Sequence, residues 1–132
     1  MSLNFPEHSH TMTLSVAQIV TSIEDESSGP TYSVVRLAEA LALRGVTSSV
    51  LSLADVASTT EHAGVTFTRS LPDSGLLSLP YELAPSRALA HAVDSASKAG
   101  TVLHMHGLWR MTNVYPGLAA ARTAAPLVLS PR

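Results

Sequence analysis

Two short stretches hold most of the side chains that could do chemistry. One is His104-Met105-His106-Gly107-Leu108-Trp109-Arg110. The other is the polar turn Glu24-Asp25-Glu26-Ser27-Ser28-Gly29-Pro30. His104 and His106 are two residues apart, so on a strand they share one face. An imidazole titrates near neutral pH, so His106 can act as acid or base, or donate to a sugar hydroxyl or a phosphate. A metal site needs a third ligand, and none is close in sequence. His104 also reads as a hydrogen-bonded structural histidine. Trp109 could stack on a ring or cover the core as a rim residue. Arg110 could pair with an anion or stay in solvent. In the acidic turn, Ser27 and Ser28 offer hydroxyls and helix caps, and Gly29 lets a ligand approach the backbone. A plain capped turn explains the same residues. Glu24, Asp25 and Glu26 would oppose a phosphate nearby.

The rest of the chain indicates how these stretches are positioned. Leu14 to Ile23 is β-branched and nearly free of charge, the pattern of a strand buried on both faces of a parallel sheet. Val34, Leu37, Ala38 and Leu41 recur at helical period. Pro30 suits the first turn of that helix and Gly45 its end. Ser48 to Leu53 is a second strand, completing a strand–helix–strand unit. Gly64 to Thr68 predicts a short third strand, and Leu71 to Pro80 a loop. A second helix is expected from Pro85 to Gly100, with Leu89, Ala92, Val93 and Ala96 as its apolar stripe. Thr101 to His106 is the fourth strand. A third helix is expected from Asn113 or Pro116 to Ala124, and Leu127 to Leu129 reads as a last strand of the buried type. Alternating strands and helices predict an α/β fold, a Rossmann-like three-layer domain with a mainly parallel sheet. In such sheets ligands bind beyond the carboxyl ends of the strands, where both chemical stretches fall.

Composition narrows the function classes. The chain has 132 residues, enough for one domain with a core of its own. Residues 1–13 read as a disordered leader, and 14–132 as the domain. The formal charge of -2 leaves no basic field for nucleic acid. There is no cysteine, hence no disulfide and no thiolate zinc site. No cationic-then-apolar leader marks secretion, and no apolar run is long enough for a bilayer, so the expected address is the cytoplasm. Neither GxGxxG nor GxxxxGK[ST] is present, which argues against the usual dinucleotide and ATP sites.

Three segments resemble the N-terminal domain of family-4 glycosyltransferases, in order and spacing. They are Val20 to Gly45, with Ser28-Gly29-Pro30 and Leu37-Ala38-Glu39-Ala40-Leu41 before Arg44-Gly45; Val102 to Trp109, similar to the family's HxHGLW strand and loop; and Ala125 to Arg132. The resemblance implies the N-terminal half of a GT-B fold that moves a hexose from a nucleotide-sugar donor to a sugar or lipid-linked acceptor, with retention and without metal. It implies a role at the reacting centre for His106, and binding roles for Ser28, Gly29, Gly107 and Trp109 toward substrate or donor phosphate. Many members have two glycines before the proline, where this chain has Ser28-Gly29. The paired glutamates and basic residues of a donor-binding C-terminal domain have no counterpart, so the reading is of a truncated domain, inactive alone, whose partner is that missing domain. It allows peripheral membrane association of the full enzyme. The other readings are a complete small flavodoxin-like binding module without catalysis, and a bare interaction remnant.

Overall fold

The computed structural model describes residues 13–25, 27–73, 83–107 and 110–131. The expected leader therefore lies almost wholly outside the described residues, as do Trp109 and most of the loop after Leu71.

The described residues form an α/β unit with a six-stranded sheet and three helices, in a Rossmann-like layout. The chain order is β1 (Ser15–Ile19), α1 (Gly29–Leu43), β2 (Thr47–Leu53), β3 (Ser58–His62), β4 (Val65–Ser70), α2 (Arg87–Lys98), β5 (Val102–His106), α3 (Met111–Thr123) and β6 (Leu127–Ser130). In the sheet the strands lie β3-β4-β2-β1-β5-β6. All neighbours are parallel except β3 and β4.

Strand alternation sends side chains to two separate cores. Ala17, Ile19, Leu51, Leu53 and Leu103 pack on Leu89 and Val93 of α2 and Ala119 of α3. Val20, Val50, Val65 and Phe67 pack on Val34 and Ala38 of α1. This split follows from handedness. The chain leaves β1 in one direction and leaves β4 and β5 in the other, so right-handed crossovers place α1 on one face and α2 and α3 on the opposite face.

Local signals set the ends. Ser28 caps α1 by accepting from the Thr31 N–H, and Ser86 caps α2 by accepting from the Leu89 N–H. Gly45 and Gly100 take the left-handed conformation just beyond helices α1 and α2.

Four expectations need correction. The first strand ends at Ile19, not Ile23; the Val20 N–H and the Thr21 carbonyl still bond to Leu51 and Leu53 of β2, and the polar loop to α1 follows. A strand absent from the sequence reading, β3, pairs antiparallel with β4 through a two-residue turn at Ala63 and Gly64, both with positive φ. A Cβ on Gly64 would also lie 3.3 Å from the Cβ of Ala42. The strand expected as fourth is therefore the fifth. Helix α3 begins at Met111, two residues before Asn113, the earlier of the two expected starts, and carries Pro116 within it, fully buried. Finally β6 pairs as expected, but Leu127, Val128 and Leu129 are 41–46% exposed, since it lies at the sheet edge. Among the described residues, no helix is long and apolar enough to cross a membrane.

Candidate functional site

Strands β1 and β5 are neighbours whose following helices leave on opposite faces of the sheet. Their carboxyl ends therefore diverge, and the gap between them is the natural ligand crevice of an open parallel sheet. A cleft of about 400 Å³ lies there. One wall is the loop after β1 and the start of α1, with Thr21, Ser22, Asp25, Ser28 and Thr31. The other is the end of β5, with His106, Gly107 and Arg110.

The walls are tied to each other. Thr21 Oγ1 lies 2.9 Å from Thr112 Oγ1, joining the loop after β1 to the first turn of α3. Both threonines are buried. On the β5 side, Asn113 Nδ2 donates to the His106 carbonyl at 3.3 Å, and the Arg110 N–H donates to Asn113 Oδ1 at 3.1 Å. Asn113 thereby ties the end of β5 to Arg110 at the start of α3, and Gly107 needs its glycine because φ is +89°.

His106 is 5% exposed. Its Nε2 lies 2.6 Å from Gln18 Oε1, so the ring plane is held from the neighbouring strand. Gln18 is fully buried, and its Nε2 has no partner among the described residues. His104 is the structural histidine of the pair, with Nε2 2.7 Å from Ser130 Oγ on β6. The two imidazole centroids are 4.2 Å apart. Among the described residues no three histidine, aspartate or glutamate side chains converge as a metal site would require.

Across the cleft, Ser28 acts as a cap. Its hydroxyl donates to Thr31 Oγ1 at 2.7 Å and accepts from the Thr31 N–H at 3.3 Å. Gly29 is the first residue of α1 and does not line the cleft. It has no left-handed φ, and a Cβ there would meet nothing within 4 Å. No contact within the described residues therefore requires glycine at this position. Asp25 does line the cleft, and the Ser27 hydroxyl, followed by the Ser27 and Ser28 backbone amides, holds its carboxyl below the usual range. It is a carboxylate at neutral pH and faces the same space as the Arg110 side of the cleft.

The structure thus brings Ser28, His106 and Gly107 together in one cleft. Trp109 lies outside the described residues. Gln18, Thr21, Thr112 and Asn113 join the site without being expected there from sequence. A glutamine inside an otherwise apolar strand, and two threonines near strand and helix ends, were the available signals, since buried polar side chains need partners.

Comparison of the chain with protein-family models, curated proteins and solved structures finds no match.

Proposed function

We propose that this chain is the acceptor-binding, N-terminal domain of a retaining GT-B-fold glycosyltransferase. The observation that carries the reading is the placement of His106-Gly107 opposite the capped N-terminus of α1, in a cleft at the β1/β5 divergence. It supports the reading because the two motifs that resemble the family are far apart in sequence and meet in space. The lining also suits an acceptor. Ser22 and Ser28 place partly exposed hydroxyls on the wall, Asp25 a carboxylate acceptor and Arg110 a donor, which is a mixture that a polyhydroxylated molecule can satisfy. Asp25 opposes a phosphate at this position, which favours a neutral acceptor over the donor's diphosphate beside it.

In this reading His106 meets the reacting sugar, with Gln18 holding its ring in place and Asn113 holding the loop beyond it. Removing the imidazole leaves the sheet intact but loses the oriented donor or acceptor of a proton.

The test is a transfer assay on the polypeptide encoded by the natural reading frame that contains this chain, with a panel of radiolabelled uridine and guanosine diphosphate sugars. His106→Ala is expected to lower turnover by a hundredfold or so while leaving the circular dichroism unchanged. Undiminished turnover removes His106 from the site. Tight nucleoside diphosphate binding by the isolated chain contradicts the acceptor-side assignment.

A further inference from the structure

In a parallel sheet, the crossover between neighbouring strands usually carries a helix that covers one face. The crossover from β2 to β4 carries none. Residues 54–64 instead include β3, which pairs at the sheet edge and covers nothing. On that face β4 is consequently covered by α1 alone, which buries Val65 and Phe67 and leaves a groove of about 490 Å³ along its edge.

Its chemistry is specific. Ile23, Val35 and Phe67 contribute an apolar floor. Tyr32, on the first turn of α1, is 60% exposed, and the Arg36 guanidinium carbon sits 5.2 Å from its ring centroid. The Arg69 guanidinium carbon lies 5.7 Å from the Phe67 centroid. Each arginine is oriented by a partner. Arg36 pairs with Glu39 at 3.1 Å. Arg69 donates through Nε to Glu24 at 3.0 Å and through a terminal nitrogen to Thr60 Oγ1 at 3.2 Å. Thr31 lines both the groove and the cleft that holds His106, so the two adjoin.

We propose that the groove binds a neutral sugar unit of the acceptor, one or two residues removed from the unit that reacts in the cleft. This deepens the transferase reading and rests on it for the word acceptor. A pyranose has one face of C–H groups and an edge of hydroxyls that both donate and accept. The C–H face suits the negative face of an exposed tyrosine ring and the apolar floor. The hydroxyl edge suits a guanidinium–carboxylate pair such as Arg36–Glu39, which supplies donors and an acceptor side by side. An anion fits less well, because Glu39 lines the groove and Glu24 already engages Arg69. A helix from a partner fits less well too, because it needs a continuous apolar seat, and Arg69, Glu39, Thr60 and His62 interrupt this one.

The experiment is an amide chemical-shift titration of the chain with maltotriose, mannotriose, chitotriose and, separately, inorganic phosphate, each to tens of millimolar. At least one trisaccharide is expected to shift Tyr32, Arg36 and Arg69 together with cleft residues. Tyr32→Ala should weaken that binding by about tenfold, the scale of one lost ring contact. Tyr32→Phe keeps the ring and should retain binding, which separates a lost contact from a lost fold. If every trisaccharide leaves the groove residues unmoved, or if only phosphate moves them, the groove proposal is overturned, and the transferase reading then stands or falls on its own assay. If the groove responds to sugar but no transfer is found from any donor, the groove stands as a sugar site and the transferase reading falls.

Discussion

The two faces of β1 and β5 are built from different materials. Toward α2 and α3, Ala17, Ile19, Leu103, Leu89 and Val93 form a layer without a polar atom. On the opposite face the same strands contribute Gln18 and His106, and at the cleft Thr21 of the loop after β1 meets Thr112 of α3, all buried and polar. The first layer gains stability from every atom removed from water. The second must match each buried donor with an acceptor, and Gln18 Nε2 is left without one among the described residues. Stability resides in the apolar layer, and the polar layer gives up some of it for a defined arrangement of groups.

This contrast can be broken by substitution. Leu89→Ala removes a fully buried side chain from the apolar layer and should cost about 2–5 kcal/mol in urea unfolding. A loss below about 1 kcal/mol, the range of a surface change, would mean that the layer is not the main source of stability. In the polar layer, Thr112→Val keeps the shape but leaves the Thr21 hydroxyl unmatched, at a cost of roughly 1–3 kcal/mol. Adding Thr21→Val should cost less than the sum of the two single changes, because the second removes the orphan that the first created. Strict additivity would show that the two hydroxyls do not depend on each other.

The smallest effect is expected at the surface. Asp94 on α2 accepts from Lys98 at 2.9 Å and from Arg122 of α3 at 3.3 Å. The Lys98 hydrogen bond, with the nearby positive charges, lowers its pKa from the ordinary value of 3.8. A depressed carboxyl favours the folded state above its unfolded pKa, and that contribution disappears as pH falls through the folded value. Asp94→Asn should therefore cost a little stability near neutral pH and nothing in strong acid. The carboxylate is half-buried at the surface and its cationic partners are exposed, so salt should reduce the difference. An effect that persists unchanged in acid would point to packing rather than charge.

Much of the frame was legible because it depends on local rules. The charge-free β-branched run at β1, the helical period in α1 and α2, and the glycines after both helices each carry their own signal. The short strand β3, Ser58–His62, carries none, because Ser-Thr-Thr-Glu-His has no apolar alternation and forms only by pairing with β4. The start of α3 was hidden by Pro116, which usually marks a first turn and here sits inside the helix. Of the site, His106, Gly107 and Ser28 could be found from their positions at element ends. Gln18, Thr21 and Thr112 carried only the weak signal of a polar residue in an apolar run or at an element end, and Asn113 none, since their roles are defined by partners elsewhere in the fold.

The amino-acid sequence by itself determined the alternation of strands and helices, because hydrophobic period and capping act over a few residues. Only the tertiary structure decided the strand order, and with it the divergence of β1 from β5, the groove left between α1 and β4, and the meeting of His106 with Gln18 across 88 positions of chain. Those are contacts between distant segments, and each depends on where the whole sheet places its neighbours rather than on any local pattern.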